Sequence, residues 1–189
     1  MENGLLWNIV YWTWIFSEVL ILVVTRTRRG GGEIHDRGSL LILWPVIVLS
    51  ITAGTWFGEL HAHTLFRGAH WVRVAALALL AVGLALRWAA ILSLGKSFSA
   101  NVAIHATQKV NKSGLFRYVR HPSYSAMLLI FIAVGMHSRN WIGLAIVVLP
   151  SLAALLYRIH VEEAALRGGF GQEYIDYSAK TKRLIPGVY

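Results

Sequence analysis

Several groups of residues in this chain have the types and spacing that chemistry needs. The first runs from Lys109 to Tyr124, Lys-Val-Asn-Lys-Ser-Gly-Leu-Phe-Arg-Tyr-Val-Arg-His-Pro-Ser-Tyr, a basic, aromatic, turn-rich interruption of an otherwise apolar sequence. Ser113-Gly114 supplies turn chemistry. Pro122 fixes its own φ and pushes His121 out of the helical region, so a helix should start at Pro122 with His121 at its entrance. Outward-pointing backbone donors there, joined by Arg117, Arg120 and His121, suit a ligand bearing a carboxylate or phosphate. The plainer reading is a connector whose basic residues only set membrane orientation. The second group is Arg158 and Glu162, neighbours on one helical face, with Glu163 turned away and paired with Arg167. Such a pair is either a solvated salt bridge or a receptor for a zwitterion, a carboxylate for an ammonium and a guanidinium for a carboxylate. The third group, Glu59, His61, His63 and His70, matches no helical metal-binding spacing, and no metal is expected.

The composition bounds what these residues can serve. Of 189 residues, 56% are hydrophobic, and the mean hydropathy is +0.55, more than a soluble domain of this size carries. The absence of cysteine excludes disulfides, thiolate metal sites and a cysteine nucleophile. The formal charge of +9 does not point to nucleic acid, because the basic residues lie between apolar runs, where anionic headgroups account for them. Glu2 stands where a secretory signal would be basic and no small-residue cleavage site follows, so the first apolar run is expected to stay in the protein.

The elements that must position the reactive residues are helices in a membrane. Residues 5–24 form an apolar run of 20, long enough to cross a hydrocarbon core of roughly 30 Å. Further spans are expected at 39–55, 71–94, 123–136 and 141–157, with Pro45 a kink in the second and a loop over 56–70. Glu18 lies within the first span and Arg87 within the third. Glu18 either faces other helices or water in a functional role or, being near a helix end, snorkels, and Arg87 either snorkels or reaches a polar cavity. His137-Ser138-Arg139-Asn140 is so short a connection that the last two spans must form an antiparallel hairpin. Fourteen of the 18 Lys and Arg fall in 26–37, 96–120 and 158–183, which places the N-terminus outside and the C-terminus in the cytoplasm. The expected fold is therefore an all-α integral membrane protein, a single domain of five transmembrane helices. Its chemistry lies on the cytoplasmic side, in a cofactor-binding segment, 95–122, and a C-terminal tail, 158–189. Gly168-Gly169 should end the last long helix, and the tail beyond either lies on the membrane or folds over the polar segment.

Taken together, Ser113-Gly114-Leu115-Phe116-Arg117-Tyr118-Val119-Arg120-His121-Pro122-Ser123-Tyr124, the pair Glu162-Glu163, Phe170-Gly171-Gln172-Glu173-Tyr174 and Arg183-Leu184-Ile185-Pro186 resemble the isoprenylcysteine carboxyl methyltransferase family. The likeness covers roughly the C-terminal half and keeps the family's order and spacing. It implies an integral membrane enzyme that uses S-adenosyl-L-methionine to methylate the carboxylate of a prenylated cysteine, with a lipidic substrate and membrane lipids as partners. Related enzymes methylate phospholipid amines, which is the alternative acceptor. A non-catalytic transporter or scaffold, or a nicotinamide-dependent sterol-type reductase, are rivals from other classes. By position, the resemblance implies cofactor contacts from Asn101, Gln108, Lys109, Val110, Asn111, Phe116, His121, Pro122, Ser123, Tyr124 and Glu162, and a substrate-side arginine at Arg158, with Arg158 and Glu162 the catalytic pair. Leu115-Phe116 replaces a common Pro-Tyr, which removes one possible cofactor hydrogen bond. Ala126 stands where glycine is frequent.

Overall fold

The computed structural model describes residues 2–25, 33–34, 38–60, 70–95, 98, 103–104 and 109–189. Asn101, Gln108, His61, His63 and the side chain of His70 lie outside the described residues. The chain runs α1 (Glu2–Thr25), β1 (Glu33–Ile34), α2 (Ser39–Leu60), α3 (His70–Leu94), β2 (Ala103–Ile104), a 3-10 turn (Gly114–Arg117), α4 (Pro122–His137), α5 (Trp141–Phe170) and α6 (Gln172–Lys180).

Four helices are long and apolar enough to cross a membrane, over Gly4–Thr25, Ser39–Leu60, Trp71–Leu94 and Trp141–Phe170. Their outer faces carry large apolar side chains in the open, among them Leu5, Phe16, Val23, Leu41, Leu92 and Leu149. Lipid satisfies such a surface where water would not, and the helices satisfy their own backbones. The protein is a multi-pass membrane protein. α4 has 16 residues, about 24 Å at 1.5 Å each, short of a full crossing.

The helices bury one shared core in which Trp14, Leu43, Ile47, Leu80, Met127, Ile130, Phe131 and Leu155 interlock. α3 packs most extensively on α4, and α2 on α5. The second pairing depends on glycine: a Cβ at Gly54 would sit 2.7 Å from the Gly143 carbonyl oxygen, and one at Gly143 would sit 2.8 Å from that of Gly54. Apolar side chains gain nothing by leaving lipid for one another, so close backbone approach does the joining.

Three features differ from expectation. α2 continues to Leu60, so Glu59 is helical rather than in a loop. α5 starts at Trp141 as expected, capped by Asn140, whose Oδ1 accepts from the backbone N–H groups of Ile142 (2.9 Å) and Gly143 (3.1 Å), but it passes through Gly168 and Gly169. Each glycine weakens a helix by only about 1 kcal/mol. The stop comes at Gly171, at φ +54, whose N–H closes on the Arg167 carbonyl. Finally, β1 and β2 pair antiparallel, Glu33 opposite Ile104 and Ile34 opposite Ala103, which fastens the first polar loop to the second. Their two-residue strands carry no periodicity that a sequence reading could detect.

Candidate active site

A cleft of about 1200 Å³, its open mouth included, lies where the entrance of α4 meets the far ends of α3, α5 and α6. Lys109, Val110, Asn111, Phe116, His121, Pro122, Ser123, Tyr124, Arg158 and Glu162 all line it, so tertiary structure gathers every described residue of the expected site. α5 gives the cleft a direction. Arg158, Glu162, Leu166 and Phe170 recur at intervals of four and all face it, each step advancing about 6 Å along the helix.

Arg158 and Glu162 are not a simple solvated pair. The Tyr124 hydroxyl stands between them, donating to Glu162 Oε2 at 2.7 Å and accepting from Arg158 Nε at 3.4 Å. Arg158 is 2% exposed and also donates through Nη1 to Ser39 Oγ at the start of α2. A guanidinium held this way is oriented before any ligand arrives. The Glu162 side chain is 28% exposed and lines the cleft, with His121 Nδ1 3.9 Å from its Oε2.

Glu163 departs most from expectation. It does meet Arg167, at 3.4 Å, but it is buried and forms the centre of a cluster. Arg120 Nε lies 2.9 Å from Oε1, Arg183 Nη2 lies 3.1 Å from Oε2, and His121 Nε2 lies 3.4 Å from Oε1. Arg120 further donates to the carbonyls of Ser178 (2.7 Å) and Thr181. Backbone bonds run beside the cluster, from Arg120 N–H to Lys182 O (2.7 Å) and from His121 N–H to Arg183 O (3.0 Å), while Ser125 Oγ donates to Leu184 O (2.6 Å). The tail therefore folds over the polar segment. The α4 entrance offers fewer backbone donors than expected: Pro122 has none, and the N–H groups of Tyr124 and Ser125 both turn back on the His121 carbonyl at 3.0 Å. Positive charge in the cleft comes from side chains such as Arg120 and Lys109.

The membrane-side wall holds a second pair. Arg87 meets Glu18 in a two-pronged contact, 2.9 Å for each nitrogen, and donates through Nη1 to Ser123 Oγ. Glu18 is 2% exposed, so it does not snorkel; α3 brings its counter-charge to it. Ser123 is thereby committed to α3. Asn111 is committed as well: Oδ1 accepts from the N–H and Oγ of Ser113, and Nδ2 donates to Ser93 O at 3.1 Å. Among the described residues no group of three or more His, Cys, Asp or Glu could hold a metal ion.

Some lining residues carry no expectation from the sequence. Leu166 and Phe170 could have been found by extending the Arg158–Glu162 spacing along α5. Tyr174 and Tyr177, three apart on the amphipathic α6, are both buried against the site, and Tyr177 fixes Phe116 by donating to its carbonyl at 2.6 Å. Burial pushes the Tyr177 phenol up to about 12, so it remains a donor at neutral pH. Leu40, Leu43 and Trp44 line the cleft from α2, and nothing in their local pattern announces it.

The sequence model of the isoprenylcysteine carboxyl methyltransferase (ICMT) family matches residues 76–168, from α3 almost to the end of α5. A "Probable protein-S-isoprenylcysteine O-methyltransferase" of Oryza sativa subsp. indica is 29% identical over 189 residues, covering 93% of this chain and 96% of that protein. The protein-S-isoprenylcysteine O-methyltransferase of Schizosaccharomyces pombe is 33% identical over 120 residues, 60% of this chain and 49% of that protein. The solved structure of a eukaryotic intramembrane Ras methyltransferase, ICMT, superposes with a TM-score of 0.63 at 25% identity over 77% of this chain; the match spans 52% of that longer chain. By sequence and by fold, the chain is similar to members of the isoprenylcysteine carboxyl methyltransferase family.

Proposed function

We propose that this chain is an S-adenosyl-L-methionine-dependent methyltransferase that esterifies the carboxylate of a prenylated cysteine, or a similar lipidic acid, at the cytoplasmic face of a membrane. The observation that carries this reading is the Arg158–Tyr124–Glu162 chain, set in a cleft that is apolar toward the helices and aromatic toward the tail. The relatives named above support it through the activity their names state.

The donor set fits the cofactor. Glu162, partly open to the cleft, would hold the ammonium of its amino-acid end; Lys109 brings positive charge for its carboxylate; and Phe116, Leu166 and Phe170 offer apolar surface for the nucleoside. When bound, it would supply an electrophilic methyl group on a sulfonium, whose sulfur leaves as a neutral thioether once the methyl is transferred. The chain has correspondingly little proton chemistry to do. An acceptor carboxylate with an ordinary pKa of about 4 is already ionised at neutral pH, so no residue must act as a base. Arg158 would orient that carboxylate, and its bonds to Ser39 and Tyr124 fix it beforehand. Ile21, Leu22, Leu40, Leu43 and Met127 form an apolar wall against which the prenyl chain would lie, entering from the bilayer while the cofactor enters from the water.

In this reading α4 is a fifth crossing that starts in a protein-lined recess, which compensates for its length. Five crossings leave the N-terminus outside and put the cleft and tail in the cytoplasm, in line with the Lys and Arg distribution. The test is turnover by the purified protein in lipid, with methyl-labelled cofactor and a farnesylated cysteine acid, read as a base-labile ester. Label in a phospholipid amine instead would replace the acceptor. Binding of a nicotinamide dinucleotide with no binding of S-adenosylhomocysteine would replace the reaction, and binding of neither would favour a transporter or scaffold.

A further inference from the structure

The tail ends in apolar side chains that the cleft does not use. Beyond the buried Leu184, Ile185, Val188 and Tyr189 stand in the open, Val188 at 72% exposure, and none of these three lines the cleft. The turn that carries them closes on itself. The N–H groups of Leu184 and Ile185 both donate to Tyr189 O, at 2.7 and 2.8 Å, and those of Val188 and Tyr189 donate to Ile185 O, at 3.1 and 3.2 Å. Pro186 has no N–H to satisfy. A turn that supplies its own backbone partners and points apolar side chains outward is suited to lipid rather than to water.

Its depth relative to the spans decides what it meets. A Cβ at Gly83 would sit 3.1 Å from the Ala126 carbonyl oxygen, which puts the second turn of α4 level with Gly83 of α3. From Gly83 to the end of α3 at Leu94 is about 16 Å at 1.5 Å per residue. The entrance of α4 is therefore sunk on the order of 10 Å below the end of the neighbouring span, as the contact of Arg87 with Ser123 also requires. The tail descends with it. Val119 and Lys182 form a parallel bridge, so the two segments run the same way, and Ser125 Oγ donates to Leu184 O at 2.6 Å, one turn inside α4. At that depth the outside of the protein is bilayer. Arg183 lies over the Tyr189 ring at 5.2 Å and Arg117 over the Tyr118 ring at 5.8 Å, and Lys180 and Lys182 are exposed just before the descent. Aromatic and basic side chains gather in this way where headgroups meet acyl chains.

We propose that the turn at 185–189 inserts into the leaflet on the cleft side of the membrane, with Arg117, Lys180 and Lys182 at its anionic phosphates, and that this contact holds the tail closed over the cleft. The link to the cleft is on the same strand: Arg183 meets Glu163 at 3.1 Å, and the carbonyls of Lys182 and Arg183 accept from the N–H groups of Arg120 and His121. A tail that leaves the bilayer must pull these apart. The inference needs α3 as a membrane span and is independent of which reaction the cleft performs.

The chain has no cysteine, so a single one can report depth. Val188→Cys and, on the exposed face of α6, Ala179→Cys are each labelled with an environment-sensitive fluorophore and placed in nanodiscs of phosphatidylcholine with or without phosphatidylserine. The label at position 188 should escape aqueous iodide and be quenched by lipid spin-labelled near the top of its acyl chain, more strongly when phosphatidylserine is present. The label at position 179 should be quenched by iodide and not by the lipid. In the same nanodiscs, Ile185→Asp combined with Val188→Asp should speed tryptic cleavage at Lys180 and Lys182 about tenfold, while the helices unfold at an unchanged temperature. A label at position 188 that iodide reaches and lipid does not would overturn the insertion and leave the apolar turn to a protein partner. Quenching indifferent to phosphatidylserine would overturn the phosphate contact. An unchanged cleavage rate in the doubly substituted protein would overturn the closure, and a general loss of thermal stability would make the turn part of the packed fold and overturn it too.

Discussion

Replacing Glu163 with glutamine is expected to unfasten the tail while leaving the cleft's own carboxylate in place. The substitution keeps an acceptor oxygen and removes one negative charge from among four basic side chains: Arg120 at 2.9 Å, Arg183 at 3.1 Å, and His121 and Arg167 at 3.4 Å. The Arg167 and Arg183 side chains are 51% and 33% exposed and can turn to water. The Arg120 side chain, 9% exposed, cannot. Breaking one side of a buried pair costs about 3–5 kcal/mol, and because Arg120 retains the carbonyls of Ser178 and Thr181, the lower figure applies. At about 2–4 °C per kcal/mol for a chain of this size, the unfolding temperature should fall by about 6–12 °C. Trypsin should then cut at Lys180, Lys182 and Arg183 well before the helices open. Glu162→Gln is the matched control. Its residue touches the Tyr124 hydroxyl and is partly exposed, so stability should drop by about 1 kcal/mol, while affinity for S-adenosylhomocysteine falls about ten- to a hundred-fold. Thermal unfolding, timed proteolysis and calorimetric titration of both variants make the comparison. A tail that stays protected at full stability in Glu163→Gln, or a larger loss of stability in Glu162→Gln, would refute the reasoning.

Arg158→Ala should abolish turnover on a farnesylated cysteine acid while leaving S-adenosylhomocysteine affinity little changed, and Arg158→Lys should rescue poorly because an ammonium cannot make the forked contact; full turnover in Arg158→Ala would remove this residue from the mechanism. Glu18→Gln strands a buried guanidinium and should cost about 3–5 kcal/mol, whereas the double change Glu18→Leu with Arg87→Leu should recover most of it, both read by thermal unfolding. Single cysteines at the exposed positions Glu59 and Ala179 should take up an impermeant label from opposite membrane faces, and labelling from one face alone would overturn the topology. The folded-state pKa of Tyr177 is raised, so its contribution to stability is complete below pH about 10 and is lost as pH rises through about 12; Tyr177→Phe should lessen this alkaline loss in an unfolding series.

The sequence by itself determined the membrane class, because residues 5–24 and 71–94 state their burial in lipid through length and composition alone. It also determined where α4 begins, since Pro122 acts on its immediate neighbours, and it put Arg158 and Glu162 on one face, since helical periodicity is a local rule. What it could not supply was which distant charge meets which. Glu18 and Arg87, 69 residues apart, each look like a snorkelling charge until α1 and α3 pack together. Glu163 looks like an ordinary partner for Arg167 until the tail brings Arg183, and the α4 approach brings Arg120, to the same carboxylate. The placement of Tyr124 between Arg158 and Glu162, and of a Tyr174 hydroxyl with no partner among the described residues in the cleft, likewise came from tertiary structure. Local geometry and hydropathy are written residue by residue, so a sequence can be read for them. The pairing of buried charges depends on which helix faces meet, and that is settled by close packing at contacts such as Gly54 on Gly143, where nothing in the spacing of either residue names the other.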